Sequence, residues 1–392
     1  MPIETIRFPG AQGAELAARL DTPVGPPRAY AVFAHCFTCS KDSKAAAYVS
    51  QALAGHGIAT LRFDFSSLEF SANLDDLLAA ADWLRRERAA PQILAGHSLG
   101  GAAVLACAAQ VPEARAVATI GAPFDPAHVL RLVAASGDEI MKKGEGEVNI
   151  GGRPVRISAR FFRDLGALQP AETIASLRKP LLVFHSPADT IVDIDNASKI
   201  FLAAKHPKSF VSLDRADHLL TKQEDARYAA AVLAAWASRY IDPGAAQGET
   251  VPGVRVAEAG EGRFAQLVAA GRHRLRADEP ESAGGEDSGP GPYELLLAGL
   301  GACTSMTVRM YAERKKWPLE RVTVDLKHGK VHATDCAECE TREGHLDRIE
   351  RVITLQGALE DAQRARLLEI ANRCPVHRTL RSEVWIQTSL AR

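Results

Sequence analysis

Apolar and polar positions follow two rhythms along the first part of the chain, and the rhythms take turns. Thr5–Phe8 and Leu16–Leu20 alternate residue by residue, as the arms of a hairpin do, and lead into the apolar run Ala29–Ala34. Ser43–His56 and Asn73–Arg88 instead space their apolar residues as helices, each followed by a strand-like run, Ile58–Phe63 and Gln92–Ala95. A glycine-rich turn then opens the alanine-rich helix Leu99–Gln110, before the strand Ala116–Ile120. Further on, Pro180–His185 and Ser209–Leu213 read as strands, with helical spacing over Asn196–Ala204 and Glu224–Tyr240. Strands separated by helix-length segments predict a parallel sheet covered on both faces. Between Asp125 and Gln169, charged and glycine-rich pieces such as MKKGEGEVNIGGR break the rhythm. They predict an excursion over the sheet's edge, a small cap.

At Asp242–Gly253 the sequence DPGAAQGETVPG lacks large hydrophobes and reads as a linker. The expected organisation is an α/β domain over 1–242, the linker 243–253, and an α+β domain over 254–392. In the last, Val254–Val256 and Gln266–Ala269 read as antiparallel strands, and a polar loop, Asp278–Pro292, precedes an apolar helix over Tyr293–Lys316. Strands Val322–Lys327 and Arg348–Leu355, a helix over Glu360–Asn372 and a closing strand Glu383–Thr388 complete it.

Composition narrows the function classes. The 392 residues are 46% hydrophobic, and Lys+Arg 47 against Asp+Glu 48 leave a net charge of −1, without the basic excess of a nucleic-acid or membrane-surface protein. No run of consecutive apolar residues approaches the ~18 of a membrane span. MPIETIRFPG has neither the basic region nor the apolar core of a secretory signal. Seven cysteines then read as reduced thiols in a cytoplasm, not as a disulfide framework.

Gly96-His97-Ser98-Leu99-Gly100 is a G-x-S-x-G elbow between an expected strand and an expected helix. The glycines permit a tight turn that presents Ser98 at the carboxyl edge of the sheet, beside helix-start N–H groups. A serine nucleophile needs a base and an orienting acid, here in the order Ser, Asp, His. Asp189 and His218 both follow expected strands, at the edge where the loops of an open sheet converge. Asp193, Asp195 and Asp217 compete for the acid's place. The oxyanion donors are expected to be the N–H of Leu99 and, from the loop His35-Cys36-Phe37-Thr38, that of Phe37. On these residues, 1–242 resembles an α/β-hydrolase of the small esterase or dienelactone-hydrolase-like kind. That family usually has glycine where Cys36 stands. The C-x-x-C of Cys36 and Cys39 reads as loop packing in preference to a redox pair.

Cys303, in LLLAGLGACT, and Cys374, in NRCPVH, are each commonplace alone. Together, a GACTSM helix entered from GPYELL and a later CPVH resemble the OsmC/Ohr family of thiol-dependent peroxidases over Val254–Arg392. The resemblance implies that Cys303 attacks a hydroperoxide and Cys374 resolves the sulfenic acid, with an external dithiol restoring the pair. It also implies an intertwined homodimer through 254–392, and a supporting Arg and Glu. Glu294 is the candidate Glu, one residue closer to the cysteine than is typical; Arg263 and Arg309 are candidates for the Arg. Cys336 and Cys339, flanked by His332 and His345, form another C-x-x-C, open to zinc, a redox pair or an inert loop, the last preferred. Arg381 reads as part of a solvated face.

The expectation is a serine carboxylesterase fused to a cysteine-dependent organic hydroperoxide reductase, without cofactor, metal, nucleic acid or membrane span. The alternative is an esterase whose OsmC-like domain is a non-catalytic dimerisation platform.

Overall fold

Eight short segments build one sheet in the computed structural model, which describes residues 3–10, 13–36, 39–128, 134–150, 153–166, 168–242, 253–260, 262–332 and 343–391. They are β1 (Ile3–Pro9), β2 (Glu15–Asp21), β3 (Ala29–Ala34), β4 (Ile58–Phe63), β5 (Ile93–His97), β6 (Ala116–Ile120), β9 (Leu181–His185) and β10 (Lys208–Ser212). Their order is β1-β2-β4-β3-β5-β6-β9-β10. The pairs β1–β2 and β2–β4 are antiparallel, and the remaining pairs are parallel. The central strands are buried on both faces, so alternate residues serve two cores. Val32, Ala34, Phe63 and Leu94 cluster with residues of helices α2 (Phe70–Glu87) and α3 (Leu99–Cys107). Ala31, Phe33, Ile93 and Ala95 cluster instead with residues of α1 (Lys44–Gly55) and α8 (Gln223–Ala237).

A charged pair, Arg62 with Asp21, is buried in this frame. Arg62 of β4 is 1% exposed; its Nε donates to Asp21 Oδ2 at 2.6 Å, and its Nη1 reaches the Lys41 carbonyl and Asp42. Removing one partner of a buried pair leaves the other charge uncompensated. Arg62→Leu is therefore expected to cost about 3–5 kcal/mol, read as a lower urea midpoint; an unchanged midpoint would contradict this.

The expected excursion is built from α4 (Ala134–Lys143), the antiparallel hairpin β7 (Glu145–Ile150) and β8 (Arg153–Ser158), α5 (Ala159–Gly166) and α6 (Pro170–Ser176). It docks beside α2, where Ser71 Oγ donates to Asp164 at 2.5 Å. Ile140, Ile157, Phe161 and Leu165 join the same cluster as Phe70. After it comes α7 (Asp195–Ala203).

By compactness the chain divides into Met1–Glu261 with Gln266–Leu275, and Gly262–Ala265 with Arg276–Arg392. The antiparallel strands β11 (Val254–Glu258) and β12 (Gln266–Ala270) thus group with the first unit, past the expected boundary at 254; β13 (His273–Ala277) follows. Residues 243–252 of the expected linker lie outside the described residues.

The second unit centres on α9 (Pro292–Lys315), the long hairpin β14 (Leu319–His332) and β15 (His345–Gly357), then α10 (Asp361–Ala371) and α11 (Pro375–Leu380). Val308 and Ala312 of α9 pack with Leu319, Leu367 and Ala371. At 24 residues α9 is long and apolar enough, by length and composition, to cross a membrane. Its Arg309 donates to the carbonyls of Leu319 and Glu320. The expected closing strand Glu383–Thr388 forms no ladder among the described residues. Its Val384, Trp385 and Ile386 are exposed.

Candidate active sites

Ser98 sits between β5 and α3 with φ 55° and ψ −125°, a conformation that L-residues adopt only where the surroundings enforce it. The enforcement comes from missing side chains. A Cβ on Gly96 would lie 2.3 Å from the Gly100 carbonyl oxygen, and one on Gly100 would lie 2.3 Å from that of His35. Ser98 N–H also donates to Ile120 O at 2.9 Å, tying the turn to β6. The hydroxyl therefore projects where the loops after β9 and β10 meet it.

Those loops bring His218 Nε2 to 3.0 Å from Ser98 Oγ, and His218 Nδ1 to 2.7 Å from Asp189 Oδ2. Asp189 Oδ1 accepts from the N–H groups of Ile191 and Val192, both at 2.9 Å. Burial works against the Asp189 charge, but these bonds and the neighbouring imidazole outweigh it and hold the carboxyl below its ordinary value. The competing acids are engaged locally: Asp193 accepts from Asp195 N–H, and Asp217 from Thr221. The arrangement fixes the His218 tautomer, with its Nδ1 proton toward Asp189 and its Nε2 lone pair toward the serine hydroxyl.

Leu99, the first expected oxyanion donor, opens α3 beside Ser98. Phe37, the second, lies outside the described residues. Cys36 and Cys39, expected as reduced thiols in a packed loop, are joined by a disulfide. Their three-residue separation suits a tight turn, closed by Cys39 N–H donating to Cys36 O at 3.2 Å.

The motif reading overlooked the support that His97 gives. It is wholly buried, and its Nε2 donates to the His218 carbonyl at 2.6 Å, steadying the loop that carries the base. Burial pushes its ring down to about 3, so it stays neutral and its donor persists. The signal was present inside G-x-S-x-G, but the partner is a backbone atom 121 residues away.

In the second unit, Cys303 lies on α9, partly exposed, and Cys374 is buried at the start of α11. Cys374 Sγ accepts from His377 N–H at 3.3 Å and lies 3.6 Å from Thr304 Oγ1. Arg351 Nη1 donates to that same hydroxyl at 2.9 Å, and its Nη2 to Asn372 at 2.6 Å. Burial alone would raise the Cys374 thiol; the bonds from Thr304, His377 N–H and Cys303, with the charge of Arg351, hold it below its ordinary value. Cys107, by contrast, is pushed up to about 12 by burial in the core, which suits a structural thiol.

The candidate supporting residues have local partners. Glu294 accepts from Gly291 N–H at 2.8 Å and so caps its own helix. Nine residues separate it from Cys303, roughly 13 Å along the axis. Arg309 is engaged by backbone carbonyls and Arg263 lies over the Phe264 ring; the cation beside the thiols is Arg351. It stands in the middle of an alternating strand, with no local motif to mark it. Among the described residues no metal-binding group of three or more His, Cys, Asp or Glu occurs. His332 and His345 are paired across β14 and β15, and Cys336 and Cys339 lie outside the described residues.

Comparison with known proteins bears on both units. The model of the alpha/beta hydrolase family matches residues 31–231, and that of OsmC-like proteins matches 285–389. The esterase domain of a Rhodothermus marinus protein is 50% identical, with a TM-score of 0.53 over 62% of this chain and 100% of that one. Est1E from Butyrivibrio proteoclasticus is 18% identical, with a TM-score of 0.51 over 60% of this chain and 98% of its own, a likeness of fold alone. The same holds for mouse alpha/beta hydrolase domain-containing protein 10, at 19% identity and a TM-score of 0.51 over 60% and 99%. No curated protein matches the chain. The chain thus belongs to the alpha/beta hydrolase family, and it carries that hydrolase domain fused to an OsmC-like domain.

Proposed function

We propose that the protein is a serine carboxylesterase for small or medium acyl esters, joined to a cysteine-dependent organic hydroperoxide reductase. The first half is carried by the hydrogen-bonded run from Ser98 Oγ through His218 to Asp189, at 3.0 and 2.7 Å. His218 Nε2 takes the serine proton as Oγ attacks the acyl carbonyl, while Asp189 stabilises the imidazolium that forms. The Leu99 N–H receives part of the developing oxyanion charge, a donor worth roughly 2.7–4 kcal/mol in such sites. His218 then returns the proton to the leaving alcohol. Water repeats the sequence on the acyl-enzyme and releases the acid.

In the second half, the accessible Cys303 thiolate attacks the hydroperoxide. The O–O bond breaks, an alcohol leaves, and Cys303 becomes a sulfenic acid. Cys374, held toward its thiolate, displaces water from that sulfenic acid and forms the disulfide. An external dithiol reduces it by exchange, and the reading includes a cytoplasm that supplies that dithiol. Graded p-nitrophenyl esters, and hydroperoxide consumption with a dithiol, test the two halves. No ester turnover at any chain length would sink the first. Hydroperoxide consumption unchanged in Cys303→Ser would sink the second.

The reading includes a homodimer through residues 254–392. Met306 and Met310 of α9 are 64% and 70% exposed, and Trp385 and Ile386 also stand in solvent, an apolar surface that favours a partner copy. Light scattering is expected to give a two-chain particle; a monomer at every concentration would remove this part. The capping role of Glu294 favours a second reading, in which the OsmC-like unit is only a dimerisation platform. Hydroperoxide reduction that is lost in Cys303→Ser excludes it.

A further inference from the structure

The Cys36–Cys39 disulfide lies against the serine site, and the mechanism above does not use it. Cys36 lies two residues past the end of β3 and is 4% exposed, whereas Cys39 is partly exposed. Both cysteines line a cavity of about 240 Å³ with His35, Phe65, Leu99 and Gly100. One wall of that cavity is therefore the residue next to Ser98.

Each side of the pair is anchored. Before it, the His35 carbonyl abuts Gly100 so closely that no Cβ fits, and His35 Nδ1 donates to Cys36 O at 2.7 Å. After it, Lys41 N–H and Nζ donate to Asp64 at 2.6 and 2.8 Å, and the buried Arg62 donates to Lys41 O. Between the anchors, the disulfide joins the two residues that flank Phe37 and Thr38 in sequence. Phe37 is the residue expected to supply the second oxyanion donor. An oxyanion donor works only if it is held in place before the charge develops. The disulfide restricts Cys36 and Cys39, which line the same cavity as Leu99, the other expected oxyanion donor, and opening it releases that restriction.

We propose that Cys36 and Cys39 are a second thiol–disulfide site, with external dithiols as the reductant, and that the disulfide form is the one in which Ser98 turns over esters. The inference rests on the ester-hydrolysis reading. In a cytoplasm a disulfide of this kind is transient and regulatory more often than structural. A thiolate of the dithiol attacks the accessible Cys39 sulfur, the S–S bond breaks, and Cys36 leaves as a thiolate that takes up a proton. The second thiol of the reductant then displaces Cys39, so two electrons and two protons pass to the pair and the reductant becomes a disulfide. A disulfide oxidant reverses the change. Since the same class of dithiol recycles Cys303 and Cys374, hydroperoxide that drains the dithiol pool would raise ester hydrolysis.

The test is ester turnover by the full chain across a series of dithiothreitol redox buffers, with the state of Cys36 and Cys39 mapped by alkylation and mass spectrometry. We expect kcat/KM to fall at least about tenfold as this pair becomes reduced, and to recover on reoxidation with oxidised glutathione; complete loss of one oxyanion donor would set the upper range at about 10²–10³-fold. Cys39→Ser is expected to be slow in every buffer. The wild-type titration stands alone if that variant folds poorly. Turnover that stays constant while the pair goes from disulfide to dithiol overturns the inference and leaves the ester reading intact. Turnover absent in both states, with no organophosphonate adduct on Ser98, overturns the ester reading and the inference with it.

Discussion

Ser98→Ala is expected to lower ester hydrolysis by about 10⁴–10⁶-fold, since removing one member of such a hydrogen-bonded unit costs nearly as much as removing all of it. KM should change little, because the acyl and alcohol contacts remain. Asp189→Asn should lower kcat by about 10⁴-fold, for a separate reason. An amide opposite His218 Nδ1 favours the tautomer that has no lone pair facing Ser98 Oγ. The same substitution has a pH signature. Asp189 sits below its ordinary value in the folded chain. It therefore contributes stability that is full above the unfolded carboxyl value, near 4, and is lost as pH falls through the lower folded value. The urea midpoints of wild type and Asp189→Asn should differ at pH 6 and converge toward pH 2. A constant difference would mean that the carboxylate charge adds nothing. Ser98→Ala retaining a tenth of wild-type turnover would assign the chemistry to another residue.

The second large effect is expected at the thiol pair. In Cys374→Ser, the Cys303 sulfenic acid has no partner, so catalytic consumption of hydroperoxide should fall to a single turnover and Cys303 should proceed to the sulfinic acid. Arg351→Met should act in the same direction more weakly. It removes the cation and the donor that orient Thr304 toward Cys374, both of which favour the thiolate that must close the disulfide. Slower disulfide formation, with an increase in over-oxidised Cys303, is the expected result. Arg351→Lys should restore part of the rate, since the charge persists while the two-pronged contact to Thr304 and Asn372 does not. Wild-type rates of disulfide closure in Arg351→Met would show that the guanidinium only packs the unit.

Much of this was legible because it is local. Short apolar runs such as Ala29–Ala34 and Ile58–Phe63 become strands with those same bounds, since full burial on two faces leaves no other use for them. Ser98, Asp189 and His218 could be named because each is tied to the end of a strand. What escaped depends on partners distant in sequence. β7 and β8 carry few apolar residues, and Val148 and Ile157 find their apolar cover in Ile140, Phe161 and Leu165 of the flanking helices. Arg351 reaches Thr304 and Asn372 across the fold, with no spacing to announce it. The Cys36–Cys39 bond hid behind a rule about whole-chain cysteine use, which does not govern a three-residue turn. Glu383–Thr388 has a strand's sequence but pairs with no strand among the described residues.

The account turns on Ser98 as the nucleophile that His218 activates, and covalent trapping addresses that directly. Intact-mass spectrometry after treatment with an aryl fluorophosphonate is expected to show one phosphonyl adduct per chain, mapped to Ser98, forming at the rate at which ester turnover is lost. His218→Gln should slow that labelling by orders of magnitude. Full loss of ester turnover with the adduct on another residue, or ester turnover that survives complete labelling of Ser98, would contradict it.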